Sequence, residues 1–174
     1  MADVNAVFGT LLALGIVFPG LLTTWWLLFP VSVERARVRF ARTPWACLGL
    51  GLLGMVVILV PIGLLESLPF SAAKFIGTMM IFAGLAYASV GAAGLASEMG
   101  ERLTRQSGGK FTPVGGMVRG AVALELAAAF PVLGWFLIIP LVTITAFGAT
   151  TFAVLRWSPH SARRPAPEPA LSQA

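Results

Sequence analysis

The stretch from Val114 to Trp157 constrains this chain more than any other. Short of Arg156 at its far end, it carries only two charged side chains, Arg119 and Glu125. About 30 Å of hydrocarbon is crossed by about 20 apolar residues rising about 1.5 Å each. One straight helix over this stretch would overshoot a bilayer by roughly a factor of two, more than tilt absorbs. The run is interrupted at Phe130-Pro131-Val132-Leu133-Gly134-Trp135. Proline and glycine permit a turn there, and tryptophan favours the membrane–water boundary. The sequence therefore predicts a membrane hairpin, 114–130 outward and 135–155 back.

The rest of the chain has the same character. It is 57% hydrophobic and 11% charged, with a mean hydropathy of +0.89, which excludes an ordinary soluble domain. The fold class expected is an all-α membrane protein with five transmembrane helices, at about 6–29, 45–65, 75–96, 114–130 and 135–155. They form one domain, 1–157, followed by a Pro-rich cytoplasmic tail, 158–174. No Lys or Arg precedes the first apolar run, so no cleavable secretory signal is expected. The single Cys47 has no internal disulfide partner.

Charge orients this layout. With five spans and the amino terminus outside, Arg35, Arg37, Arg39, Arg42, Arg102, Arg105, Lys110, Arg119, Arg156, Arg163 and Arg164 all fall inside. Only Lys74 falls outside. If 114–157 crossed once, Arg156, Arg163 and Arg164 would change sides and the bias would weaken. The excess of cations on the cytoplasmic side favours the hairpin.

Local patterns fill in the spans. Pro19-Gly20 predicts a kink in the first, and Trp25, Trp26 and Phe29 an interfacial belt at its end. Between Val31 and Pro44 the period is ambiguous: arginines alternate with Ala36, Val38 and Phe40, yet 35, 39 and 42 would share a helix face. In either form, Arg35, Arg37, Arg39 and Arg42 make a basic patch expected on the headgroups, facing lipid or a partner. Gly77, Gly84 and Gly91 recur every seven residues, a small-residue seam for close helix packing. The third helix is expected to outrun the membrane, because Glu98 with Arg102 and Glu101 with Arg105 are i,i+4 pairs. Gly108-Gly109 would end it.

Two pieces carry a family resemblance. One is Arg39-Phe40-Ala41-Arg42-Thr43-Pro44-Trp45, followed by a Gly- and Leu-rich span with Pro61-Ile62-Gly63. The other is Gly100-Glu101-Arg102-Leu103, then Arg119-Gly120 and the turn at 130–135. Together, over roughly 35–155, they resemble the bacterial polytopic membrane module that accompanies bactofilin-like, polymer-forming cytoskeletal proteins. The resemblance implies a membrane fold and supplies no catalytic residue. This chain also lacks a β-helical polymerising domain.

Little in the residues points to chemistry. The only histidine, His160, lies in the tail, so no span offers a histidine to haem or chlorophyll, and Cys and His do not reach metal-site spacing. Ser107-Gly108-Gly109-Lys110-Phe111-Thr112 fails as a phosphate loop. Thr104 stands where the first glycine belongs, and Phe111 where Ser or Thr belongs. No catalytic, metal or cofactor residue is assigned. Glu125 is the one acid deep in an apolar run, which makes it a candidate for a proton or cation step. The other readings are a salt bridge to a partner subunit, and a protonated or hydrogen-bonded carboxyl facing another helix near Tyr87, Thr143 or Thr145. The function expected is a non-catalytic accessory or scaffold subunit of a larger bacterial inner-membrane complex, such as a photosynthetic or respiratory one. The competing readings are a small oligomeric ion or proton channel using Glu125, and a membrane anchor for a cytoskeletal partner. The partners expected are anionic headgroups and other membrane subunits holding the amino terminus and the tail, with no nucleic acid.

Overall fold

A computed structural model describes residues 2–156, the side chains at 2–8 and 10–14 excepted; the tail and His160 lie outside the described residues. Six α-helices follow one another: α1 (Ala2–Leu28), α2 (Pro30–Arg42), α3 (Pro44–Ser67), α4 (Ser71–Gln106), α5 (Pro113–Ala129) and α6 (Ile139–Val154). A π-helical turn, Gly134–Ile138, leads into α6. There is no strand among the described residues. Pro30, Pro44 and Pro113 each open a helix, where a missing N–H costs nothing and the fixed φ is already helical. The chain continues as helix through Pro19 and Pro61.

The elements fall close to the expected spans, but the count of spans is coarser. Pro44–Ser67, Ser71–Gln106 and Gly134–Val154 are each long and apolar enough to cross a membrane. A fourth candidate is the pair Gly15–Leu28 and Pro30–Arg42, bent by 107° at Phe29. α5 has 17 residues, somewhat under the usual span. At 36 residues α4 would reach about 54 Å, well beyond the hydrocarbon. Its last turns carry both expected ion pairs: Arg102 Nε lies 2.9 Å from Glu98 Oε1, and Arg105 Nη2 lies 3.3 Å from Glu101 Oε1. Gly108 and Gly109, at φ 70° and 77°, turn the chain out of the helix in the left-handed region that glycine tolerates.

The second half of α4 is the post around which the other helices gather. Ala88, the run Gly91–Ala96, Glu98 and Gly100 are all buried there, against α1, α2, α5 and α6. Small residues four apart set the closest approaches. Ala96 and Gly100 on α4 lie against Gly120 and Gly116 on α5, in antiparallel order. Cys47 and Gly51 on α3 lie against Gly148 and Ile144 on α6, again antiparallel. A methyl group at Gly51, Gly100, Gly120 or Gly148 would overlap a backbone carbonyl of the facing helix. This is the close backbone packing that small-xxx-small spacing permits.

Two features go beyond what the sequence predicts. Trp25 and Trp26 are half-buried and pack against the core cluster around Leu22, Val33 and Ala92, rather than standing only as an outward belt. α1 ends by turning sideways into α2. The 130–135 elbow is tight: Gly134 N–H donates to the Phe130 carbonyl at 2.7 Å, and Gly134 sits against the carbonyls of Ala127 and Ala128. Beyond the elbow the two arms part. α5 packs on α4 and α1, and α6 packs on α3, α4 and α2, so they share no extended interface.

Candidate functional site

The site begins with α2. Val33, Ala36 and Phe40 are three and four residues apart and so share one helix face. Val33 and Ala36 are buried, and Phe40 packs partly buried on the core. They settle the ambiguous period in favour of a helix. α2 can dock because α4 offers Gly94, whose Cα side lies about 3.0 Å, at an added methyl, from Ala36 Cβ and the Arg37 backbone. A larger residue at 94 would hold α2 away.

Docking brings Arg37 onto three carboxylates. Its Nε and Nη2 donate to the two oxygens of Glu34 at 2.9 and 2.6 Å. Its Nη1 forms an ion pair with Glu101 and lies 3.9 Å from Glu98 Oε2. Glu98 is only 6% exposed, and Arg102 and Arg37 compensate it from two sides. The Arg37 guanidinium is held above its ordinary pKa, first by the hydrogen bond to Glu34, opposed by partial burial, and aided by the charges of Glu34 and Glu98. Its charge therefore persists over any accessible pH. The result is a near-neutral cluster, Arg37, Arg102 and Arg105 with Glu34, Glu98 and Glu101, tying α2 to the end of α4.

The four arginines of α2 are thereby divided. Arg37 is turned into the cluster, and the Arg39 guanidinium lies over the Phe152 ring, 4.1 Å from its centre. Arg35 and Arg42 are exposed. The uniform patch expected from the sequence does not form, because α2 has an inner face that the alternating pattern concealed. The i,i+4 spacing pairs Glu98 and Glu101 with Arg102 and Arg105 but does not reveal their contact with Arg37, which comes from another helix.

The glycine seam is divided as well. Gly77 faces Glu66 of α3, whose Oε1 accepts a hydrogen bond from Thr78 Oγ1 at 3.2 Å. Gly91 lies against the Ala146 carbonyl and Thr150 of α6. Thr150 Oγ1 also donates to the Tyr87 carbonyl at 3.1 Å, and Tyr87 Oη pairs with Thr151 at 3.2 Å. Gly84 meets nothing within 4 Å. It opens instead on an apolar groove of about 100 Å³ between α3, α4 and α6, lined by Met55, Leu59, Ile62, Met80, Leu85 and Phe147, among others. Glycines seven apart on one helix thus serve three different purposes.

Glu125 lies on α5 opposite α1, with Oε1 3.6 Å from where a methyl of Gly15 would sit. It is away from Tyr87, Thr143 and Thr145: Tyr87 pairs with Thr151, while both threonines donate to carbonyls of their own helix. Among the described residues Glu125 makes no hydrogen bond or ion pair. Arg119, one and a half turns earlier, stacks on Phe111 at 3.8 Å and donates to the Gly115 carbonyl at 3.2 Å, so it does not reach Glu125.

One end of the bundle collects the charge. The contacts of Gly94 with α2, Gly100 with Gly116, and Cys47 with Gly148 bring together the ends of α2, α4 and α6 and the starts of α3 and α5. Every Lys and Arg of the described residues stands at that end, except Lys74, which stands at the opposite end with Glu66. No family model, curated protein or solved structure matches the chain.

Proposed function

We propose that the chain is a non-catalytic accessory or scaffold subunit of a larger bacterial inner-membrane complex. It crosses the membrane five times, with its amino terminus outside and its carboxyl terminus in the cytoplasm. The topology is supported by the collection of basic residues at one end, since cations favour the cytoplasmic side. α1, at 27 residues, is long enough for the first crossing. α5 must leave the basic end for the 130–135 elbow, and α6 must return to it.

The observation that carries the scaffold reading is the contrast between the two flanks of the bundle. Around the second half of α4 the helices are locked at backbone contact. On α3 only Cys47, Gly51 and Ile62 are buried, and the first half of α4 is similarly bare. There the Gly84 groove presents a concave apolar surface with two methionines, a side chain that adapts to a partner's shape. A neighbouring transmembrane helix fits such a surface by close van der Waals packing. Purification in mild detergent tests this. Partner subunits should accompany the chain at fixed stoichiometry and be lost from Gly84→Phe, while that variant keeps its own fold. A lone monomer from the native membrane contradicts the reading.

The second reading, an oligomeric proton or cation channel, is favoured by Glu125 alone. A carboxyl in an apolar run, without a partner among the described residues, is costly and so is a candidate for function. Proton or cation flux into proteoliposomes should then disappear in Glu125→Gln. Undiminished flux removes the residue from consideration.

A further inference from the structure

The outer face of α2 has a composition that its docking role leaves unexplained. Arg35 and Arg42 are seven residues apart, hence within about 20° of each other around the helix, and both are exposed on the side away from Val33 and Ala36. Between and beside them stand Val38, half-exposed, and Val31, 59% exposed. Trp45, just past the Thr43-Pro44 hinge, is 81% exposed. A face turned to bulk water has no need of these apolar groups. Cations interleaved with valine, beside a bare indole, suit the boundary where acyl chains meet headgroups.

Geometry agrees with composition. α2 leaves α1 at 107°, so it runs across the direction of α1, as a helix at the membrane surface must beside a helix that spans. The cations are sorted to match. Arg37 is engaged by Glu34, Glu98 and Glu101, and Arg39 by the Phe152 ring. Among the described residues, Arg35 and Arg42 meet neither a carboxylate nor a ring.

We propose that Arg35 and Arg42, with Trp45 as the depth anchor, form a binding surface for the headgroups of anionic phospholipids, whereas Arg37 belongs to the fold. This rests on reading α2 as lying at the membrane surface, and it holds whether or not a partner complex exists. Two arginines set the scale, each contributing about fivefold to affinity for an anionic lipid near the surface.

Native mass spectrometry of the intact chain, titrated with phosphatidylglycerol or phosphatidylcholine in detergent, tests the surface. Phosphatidylglycerol should bind preferentially. Each of Arg35→Gln and Arg42→Gln should weaken it about fivefold, with elution volume and helix content unchanged. Arg35→Lys and Arg42→Lys should retain the preference, as should Lys74→Gln at the opposite end. No preference for the anionic lipid overturns the proposal, and so does a preference that survives the double glutamine variant. Displacement of the lipid by excess inorganic phosphate also overturns it, because that would mark a phosphate pocket instead of a lipid surface. No partner subunit enters the assay, so failure of the scaffold reading would leave this result standing.

Discussion

Gly148 and Gly84 are the same residue in opposite circumstances. A methyl at Gly148 runs into the Cys47 carbonyl and the Gly51 amide, both backbone atoms that cannot rotate away, whereas one at Gly84 meets open space. Gly148→Ala should therefore cost about 1–3 kcal/mol, as overpacking typically does, and lower the thermal midpoint in detergent. Gly84→Ala should leave that midpoint nearly unchanged. The arginines divide in the same way. Arg37→Ala leaves the buried Glu98 with Arg102 as its one cation and Glu101 with Arg105 alone, and should cost about 1–3 kcal/mol, the usual penalty for charged hydrogen bonds lost around a buried group. Arg35→Ala, at an exposed position, should stay within about 0.5 kcal/mol. Neither contrast was legible beforehand. The spacing of Gly77, Gly84 and Gly91 shows that they share a face, but not whether that face meets α3, α6 or open space at each level. The alternation of Arg35, Arg37 and Arg39 similarly hid which cation would turn inward.

At the scale of elements, α2 and α5 make separable claims. α2 is a short polar helix whose stability comes from docking, since isolated helices under about 12–15 residues are marginal. Hydrogen exchange should show its amides protected in the native chain and faster in Arg37→Ala, while α3 keeps its protection. Equal protection of α2 in both would mean that the ionic cluster does not hold it. α5 begins at a cap: Thr112 Oγ1 accepts from Gly115 N–H at 3.2 Å. Thr112→Ala should cost about 1 kcal/mol, read in the same thermal assay. Here the sequence was more informative. Apolar runs bounded by Pro44 and Gly108-Gly109 located the helix ends to within a few residues, because proline and glycine act through the local backbone. The docking of α2 depends instead on Gly94, far along the chain on α4, and no local pattern announces it.

Taken whole, the molecule sorts its charge by position in three dimensions. α4 stands at the centre, its inner half clasped by α1, α2, α5 and α6, and its outer half nearly bare beside α3. That asymmetry was invisible in hydropathy, which treats lipid-facing and helix-facing leucine alike. The sorting of cations was visible, and it agrees with the three-dimensional grouping of helix ends. The elbow at 130–135 carries the weight of the topology, since α5, at 17 residues, is the shortest of the five proposed crossings. Single cysteines placed at Lys74, Lys110 and Val132 in a Cys47→Ala background, all three native side chains being exposed, report on which side each site lies. Five crossings require a membrane-impermeant thiol reagent applied from outside to label positions 74 and 132 and to spare 110. If position 132 is spared from outside while 74 is labelled, α5 does not cross, and the five-span arrangement is wrong.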